Sequence, residues 1–249
     1  MDLTFALQAG ATVLREAYCE VPFKVTHVLN SHRPVAHLIL MHSTAGLFGG
    51  DELECSIRVQ QGARVLLTQQ SATKIHPSGG HPAVQRTHIT VETGAELQFY
   101  LDPVIPFAGS VFRQTTRIDI EPGARLAFWE GFTTGRIGLG ESWKFQEFAS
   151  ETRLVSGARL VFLDRFRLIS NSLEDVPWSM SGCRYAGTGL FVGERAETFA
   201  ADLHRASPET GIDRVHDNVV INRVAVATGP EFYRCREVFV RQFISASSE

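Results

Sequence analysis

Short runs in which apolar and polar residues alternate recur through much of the chain. Glu54-Cys55-Ser56-Ile57-Arg58-Val59, His88-Ile89-Thr90-Val91, Thr116-Arg117-Ile118-Asp119-Ile120 and Glu151-Thr152-Arg153-Leu154-Val155 are rich in β-branched residues and largely alternate, the period of a half-buried strand. Each run leads into a Gly-Ala-charged-aliphatic tetrad: Gly62-Ala63-Arg64-Val65, Gly94-Ala95-Glu96-Leu97, Gly123-Ala124-Arg125-Leu126 and Gly157-Ala158-Arg159-Leu160. A second β-rich run follows each tetrad, and glycine supplies the positive φ that a tight turn between two strands requires. The tetrads recur about every 30 residues, and a strand pair is marginal alone, so the units are expected to stack around a continuous core. The pattern therefore predicts a mainly β fold of stacked sheets, solenoid-like, with strand-pair repeats over about residues 36–188.

After about residue 188 the period changes. Glu194 to Ala206 places Ala196, Phe199, Ala200 and Leu203 on one helical face, with Glu194 and Glu197 early and His204 and Arg205 late. Gly229-Pro230 opens a second predicted helix, since proline suits a first helical turn, and Phe232, Cys235, Phe239 and Phe243 form one stripe along it. Asn218 to Ala227 reads as a strand between them. This mixed α/β segment, about 189–249, closes what reads as a single domain over 1–249, since no linker interrupts the chain.

Composition narrows the function classes. With 249 residues, 44% hydrophobic and 20% charged, the chain suits a folded globular protein with a sizeable core. A net charge of −3 with no basic tract excludes a nucleic-acid or anionic-membrane grip. Apolar runs fall far short of the roughly 20 residues of a membrane helix. The start, Met1-Asp2-Leu3-Thr4, has no basic region before an apolar stretch, and Cys19, Cys55, Cys183 and Cys235 are scattered without a Cys-x-x-Cys pair. These features predict buried thiols in a reducing cytoplasm. All but Lys24, Lys74 and Lys144 of the 24 basic residues are arginine, beside 17 Phe, which suits broad protein surfaces.

No constellation makes an active site. Ser71-Ala72-Thr73-Lys74 matches a Ser-x-x-Lys acyl-transfer motif but lacks its companion motifs and follows a strand instead of opening a helix. Asp51, Asp102, Glu130, Glu141 and Asp164 fall near repeat boundaries, where neighbouring coils can bring two together; this is the basis of a rival reading, a β-solenoid carbohydrate-active enzyme with paired carboxylates. His27, His32, His37 and His42 keep a five-residue rhythm that shares no face of one regular element. His76 and His81 flank Pro77-Ser78-Gly79-Gly80 and are weak metal-ligand candidates, two ligands making at most a transient site. Gly46-Leu47-Phe48-Gly49-Gly50-Asp51 lacks the Gly-Lys-Ser/Thr ending of a phosphate-binding loop and reads as a tight turn.

The ordered set is more specific than its parts. Leu47-Phe48-Gly49-Gly50-Asp51, then Gly62-Ala63-Arg64 leading into Thr68-Gln69-Gln70-Ser71-Ala72-Thr73-Lys74, then Asp102-Pro103-Val104-Ile105-Pro106-Phe107, then Gly135-Arg136 and Gly140-Glu141, resembles the urease accessory protein family UreD, also called UreH. The similarity runs from about Arg15 to the C-terminal helix. The resemblance implies a non-enzymatic scaffold or chaperone linking urease apoprotein to UreF and, through UreF, to UreG, for nickel insertion into urease. It also implies no tightly bound cofactor, with nickel only in transit through a polar internal passage. Carried over by motif, Asp51, Ser71, Thr73, Lys74, Glu130 and Glu141 are the candidates for lining that passage or an interface. An alternative for Lys74 is an ion pair with Asp51 or Glu141. The C-terminal helix, with Phe232, Arg236, Phe239 and Phe243, is a candidate for partner binding as well as for core packing.

Overall fold

The computed structural model describes residues 1–29, 35–170 and 182–246, so His32 lies outside the described residues. In chain order the strands are β1 (Asp2–Gln8), β2 (Ala11–Tyr18), β3 (Phe23–Val25), β4 (Val35–His42), β5 (Glu52–Val59) and β6 (Arg64–Gln69). They continue as β7 (Lys74–Ile75), β8 (Ala83–Val91), β9 (Glu96–Tyr100), β10 (Ile105–Pro106), β11 (Val111–Ile120) and β12 (Arg125–Thr133). The chain ends with β13 (Glu147–Ser156), β14 (Arg159–Ile169), β15 (Tyr185–Val192), α1 (Ala196–Ala206), β16 (Gly211–His216), β17 (Val219–Val226) and α2 (Gly229–Ser245).

Two large sheets face each other. One has the order β14-β13-β11-β8-β5-β1-β2 and the other β16-β17-β15-β12-β9-β6-β4-β3. The two strands of a repeat do not pair with each other in the first three units: β5, β8 and β11 lie in the first sheet, while β6, β9 and β12 lie in the second. Successive repeats pair in parallel, which is the stacking that defines a solenoid. Four residues separate these strands, as in Glu92-Thr93-Gly94-Ala95, with Gly94 at φ 67° and the Ala95 N–H donating to the Glu92 carbonyl at 2.9 Å. That link carries the chain across the ~10 Å between sheets. The fourth tetrad leaves only Gly157-Ala158 between β13 and β14, and a two-residue link closes a hairpin, so β14 stays beside β13.

Register aligns like with like. Ile57, Ile89, Ile118 and Leu154 form one inward rung of the first sheet, and Val65, Leu97, Leu126 and Val192 one of the second. All eight are buried. The third side of each coil is short: β7 pairs with β10, and Leu47 bridges to Ile75.

Both helices form where the sequence places them. α2 is opened by a capping box, in which the Thr228 N–H donates to the Glu231 carboxylate at 2.9 Å and the Glu231 N–H donates to the Thr228 hydroxyl at 3.4 Å. Its Phe232, Cys235, Phe239 and Phe243 pack with Trp129, Phe191 and Phe199 in a second core on the outer side of β12, β15 and β17. Glycines in the strands make this possible: a Cβ on Gly189 would stand 2.7 Å from Phe239 Cε2, and one on Gly131 2.7 Å from Phe232. Gly189→Ala is expected to cost about 3 kcal/mol by pushing α2 off the sheet. Gly94→Ala, which meets nothing within 4 Å, should cost about 1 kcal/mol of backbone strain; thermal melts of the two variants test the difference. No helix among the described residues is long and apolar enough to cross a membrane.

Candidate functional site

A polar row crosses the space between the sheets. In the first sheet Cys55, Thr87, Thr116, Thr152 and Asp164 pair in register across β5, β8, β11, β13 and β14, each on the inward face two residues from the aliphatic rung. Gln85, Gln114 and Ser150 form a parallel row beside it. Facing them in the second sheet, Glu130, Thr188 and Arg223 lie side by side on β12, β15 and β17. His42, Cys55, Gln69, Gln85, Thr87, Gln114, Thr116 and Glu130 line a narrow cavity of about 40 Å³, closed laterally by Leu40, Phe99 and Phe128. That is room for roughly two or three waters.

Glu130 sits at the centre of the row. The Thr152 hydroxyl donates to its Oε1 at 2.6 Å and the Gln114 amide to its Oε2 at 3.4 Å. Burial pushes the Glu130 carboxyl up to about 7; the Thr152 bond opposes this, the nearby Asp164 adds to it, and Arg223 works against it. Beyond Glu130 the row ends at an ion pair, Arg223 donating to Asp164 at 2.5 Å and to the Thr188 hydroxyl at 2.9 Å. At the other end Gln69 donates to Thr73 at 2.8 Å and accepts from the Asp102 N–H at 3.2 Å, while Arg236 on α2 donates to Asp102 at 2.8 Å. The row thus runs from α2, along the stacking axis, to β14 and β17.

Of the six residues carried over by motif, Glu130 lines the cavity and Thr73 is one hydrogen bond away. Asp51, Ser71, Lys74 and Glu141 lie on the loop side of the coils instead. Asp51 accepts the Phe48 N–H at 2.8 Å and so caps its own turn. Glu141 is held by the Arg136 guanidinium fork and by the Ala108 N–H at 3.2 Å, and the Arg136 bond lowers its pKa first of all. Lys74 pairs with neither carboxylate; it forms no ion pair among the described residues, and Ser71 is exposed. His76 stacks on Phe48 at 4.3 Å and meets Phe107 edge-on at 4.9 Å, its Nε2 lying 3.2 Å from the Ala45 carbonyl, while His81 sits on an exposed loop. Among the described residues no three His, Cys, Asp or Glu side chains converge as a metal-ligand set.

Of the two uses read for the C-terminal helix, its phenylalanines serve core packing. Phe232, Phe239 and Phe243 are fully buried against the sheet, so they build the core, and only the opposite side of α2 can meet a partner. Arg236 is turned to Asp102, at the end of the row. The threonine row itself escaped the sequence reading. Its signal was present: Cys55, Thr87 and Thr116 stand at matching places before Gly62, Gly94 and Gly123, at the inward parity of each strand.

Carboxylates do approach each other here, but in a setting unlike a glycosidase cleft. Glu130 is enclosed between two sheets, Asp164 is committed to Arg223, and about 40 Å³ admits no sugar ring. The fold and site together define a class: a two-sheet β-solenoid with a polar row through its apolar core, mostly hydroxyls and amides around one buried carboxylate. The model of the UreD urease accessory protein family matches residues 1–246. The chain is 30% identical over 233 residues to a urease accessory protein UreD of Deinococcus radiodurans, covering 92% of this chain and 84% of the relative. It is 37% identical over 209 residues to the UreD of Sorangium cellulosum, 83% of this chain and 65% of that protein, and 27% identical over 246 residues to the UreD of Acaryochloris marina, 97% and 87%. The chain belongs to the UreD family of urease accessory proteins.

Proposed function

We propose that the chain is a urease maturation factor of the cytoplasm, a scaffold without catalysis of its own that links urease apoprotein to UreF and, through UreF, to UreG, and that nickel passes along its internal polar row. The observation that carries this reading is a continuous line of polar side chains through an otherwise apolar core, running without a closed ligand set. Neutral hydroxyls and amides bind a borderline divalent ion weakly compared with imidazole or thiolate, so such a row passes an ion on where a four-ligand cage would retain it. The one thiol on the row stays protonated, since burial pushes Cys55 up to about 12. Glu130 supplies the single central carboxylate, and near neutral pH it exchanges a proton for an arriving cation.

Converting the row to apolar isosteres tests the reading. Gln114→Leu combined with Thr152→Val removes both donors to Glu130 while keeping volume. In a reconstituted maturation reaction with urease apoprotein, UreF, UreG and nickel, the double variant is expected to deliver about tenfold less nickel to urease, measured by atomic absorption. Its melting temperature should stay within about 5 °C of the unmodified chain, and wild-type nickel loading by a folded double variant overturns the passage.

A further inference from the structure

The polar row has a soft end. Thr152, Thr116 and Thr87 are followed on β5 by Cys55, and the register that pairs Asp2 with Ser56 and Leu3 with Ile57 sets Met1 beside Cys55 on the same inward face. The Ser56 N–H fixes that neighbour by donating to the Met1 carbonyl at 2.8 Å. From the second sheet His42, at the end of β4 and at the inward parity of Leu38 and Leu40, lines the same cavity. A thioether, a thiol and an imidazole therefore share one enclosed space of about 40 Å³ with the carboxylate of Glu130.

Several groups that line this space are not engaged by the protein. Among the described residues the Cys55 thiol, the Thr87 and Thr116 hydroxyls and the His42 ring nitrogens form no hydrogen bond with another protein group. Cys55 is 6% exposed, Thr116 7% and Thr87 9%. Buried polar groups left open to a cavity are presented to a ligand or to water. Desolvation lowers the His42 pKa, so near pH 7 its imidazole is neutral and keeps a lone pair to give. Its ring meets Phe23 edge-on at 5.1 Å, which sets its direction.

We infer that the end of the cavity lined by Met1, His42 and Cys55 is a binding site for a soft monovalent cation of the copper(I) or silver(I) class, with the Cys55 sulfur and a His42 nitrogen as its ligands and the Met1 sulfur as a third donor. Thiolate and thioether sulfur select such ions, and two or three donors complete their coordination. That suits a chain in which, among the described residues, no three His, Cys, Asp or Glu side chains converge, as a tetrahedral zinc site requires. On binding, the Cys55 S–H bond breaks, a sulfur–metal bond forms and the proton leaves to solvent, with no change of oxidation state. Burial pushes the Cys55 thiol up to about 12, so a borderline divalent ion leaves its proton in place, whereas a soft ion displaces it by bonding sulfur more strongly. The site is thus separate in chemistry from the nickel passage and does not rest on it.

The test uses the full chain with exposed Cys19 and half-buried Cys183 changed to serine, so that neither thiol competes. Copper(I) is titrated into this background without oxygen, in competition with the chromogenic chelator bicinchoninate, and one ion per chain is expected. Cys55→Ser in the same background should weaken binding about hundredfold and His42→Leu about tenfold, losses on the scale that metal sites show when their shells are disturbed. Cys235→Ser, whose thiol is buried in the second core away from the cavity, should bind as the background does. X-ray absorption of the copper(I) form should show sulfur and nitrogen neighbours, and sulfur without nitrogen after His42→Leu. Thermal melts establish that each variant is folded, and His42→Leu places an apolar side chain at an inward position, so it tests the site even where Cys55→Ser does not fold. Equal affinity in the background and both cavity variants overturns the inference. So does a background chain that binds no copper(I), or binding that is lost with Cys235.

Discussion

Phe239→Ala is expected to destabilise the protein by about 3–5 kcal/mol, the largest single effect in the molecule. The ring is fully buried, meets Trp129 at 5.5 Å and Phe199 at 5.4 Å between centroids, and rests on the bare backbone at Gly189. Its loss leaves a cavity that the two helices and the sheet cannot close, because Phe232 and Phe243 on either side hold α2 at its present height. For a chain of this size each kcal/mol shifts the midpoint by roughly 2–4 °C, so the melting temperature should fall by about 10 °C. Trp129 emission should shift to longer wavelength as water reaches the indole. Arg234→Ala on the exposed side of the same helix should change stability by less than about 0.5 kcal/mol. Equal losses from the two would mean that α2 is held by something other than its phenylalanine stripe.

Glu130→Gln has the second largest expected effect, and its sign depends on pH. The folded chain holds this carboxyl near 7, while an unfolded one titrates near 4.5. Between those values the folded state binds the extra proton, so the stabilising contribution is complete below about 4.5 and is lost as the pH rises through about 7. The loss amounts to about 3 kcal/mol. Glutamine keeps the shape, still accepts from Thr152 and carries no charge to desolvate. The variant should therefore be more stable than the unmodified chain at pH 8, by up to about 3 kcal/mol, and nearly equal to it at pH 4.5. Asp119 and Glu147 titrate in the opposite sense: Arg117 beside Asp119 and Arg167 beside Glu147 hold both carboxyls low, and they are common to the two proteins, so the difference between melts isolates Glu130. A difference that does not change with pH would show that Glu130 is not buried as described. If nickel passes along the row as proposed, the same glutamine should also slow its transfer, since it removes the carboxylate at the centre of the row.

Much of this architecture was legible before any coordinates. Alternation in β5, β8, β11 and β13 depends only on strand geometry, so the faces of each strand follow from its own residues. The stripe of α2, its proline and its cap are likewise local, and the helix forms where they place it. Of the four tetrads, all expected to join strand pairs, only the last, with two residues between β13 and β14 instead of four, closes a hairpin; the other three carry the chain from sheet to sheet.

The site was less legible for a physical reason. Motif matching led to Glu130 and Thr73, which lie on or beside the row, but equally to Asp51 and Glu141, which hold turns on the loop side, and to Ser71 and Lys74, which lie off the row. The row through the core is made of threonines and glutamines that look unremarkable within any one strand. It exists because pairing between repeats aligns Thr87 with Thr116 and Thr152, and because the two sheets then bring Glu130 against them. By itself the sequence determined which side chains share a face, where the chain turns and which family it resembles. Which faces meet was decided only by the tertiary structure, since register between segments about 30 residues apart is set by collective packing and not by any local preference.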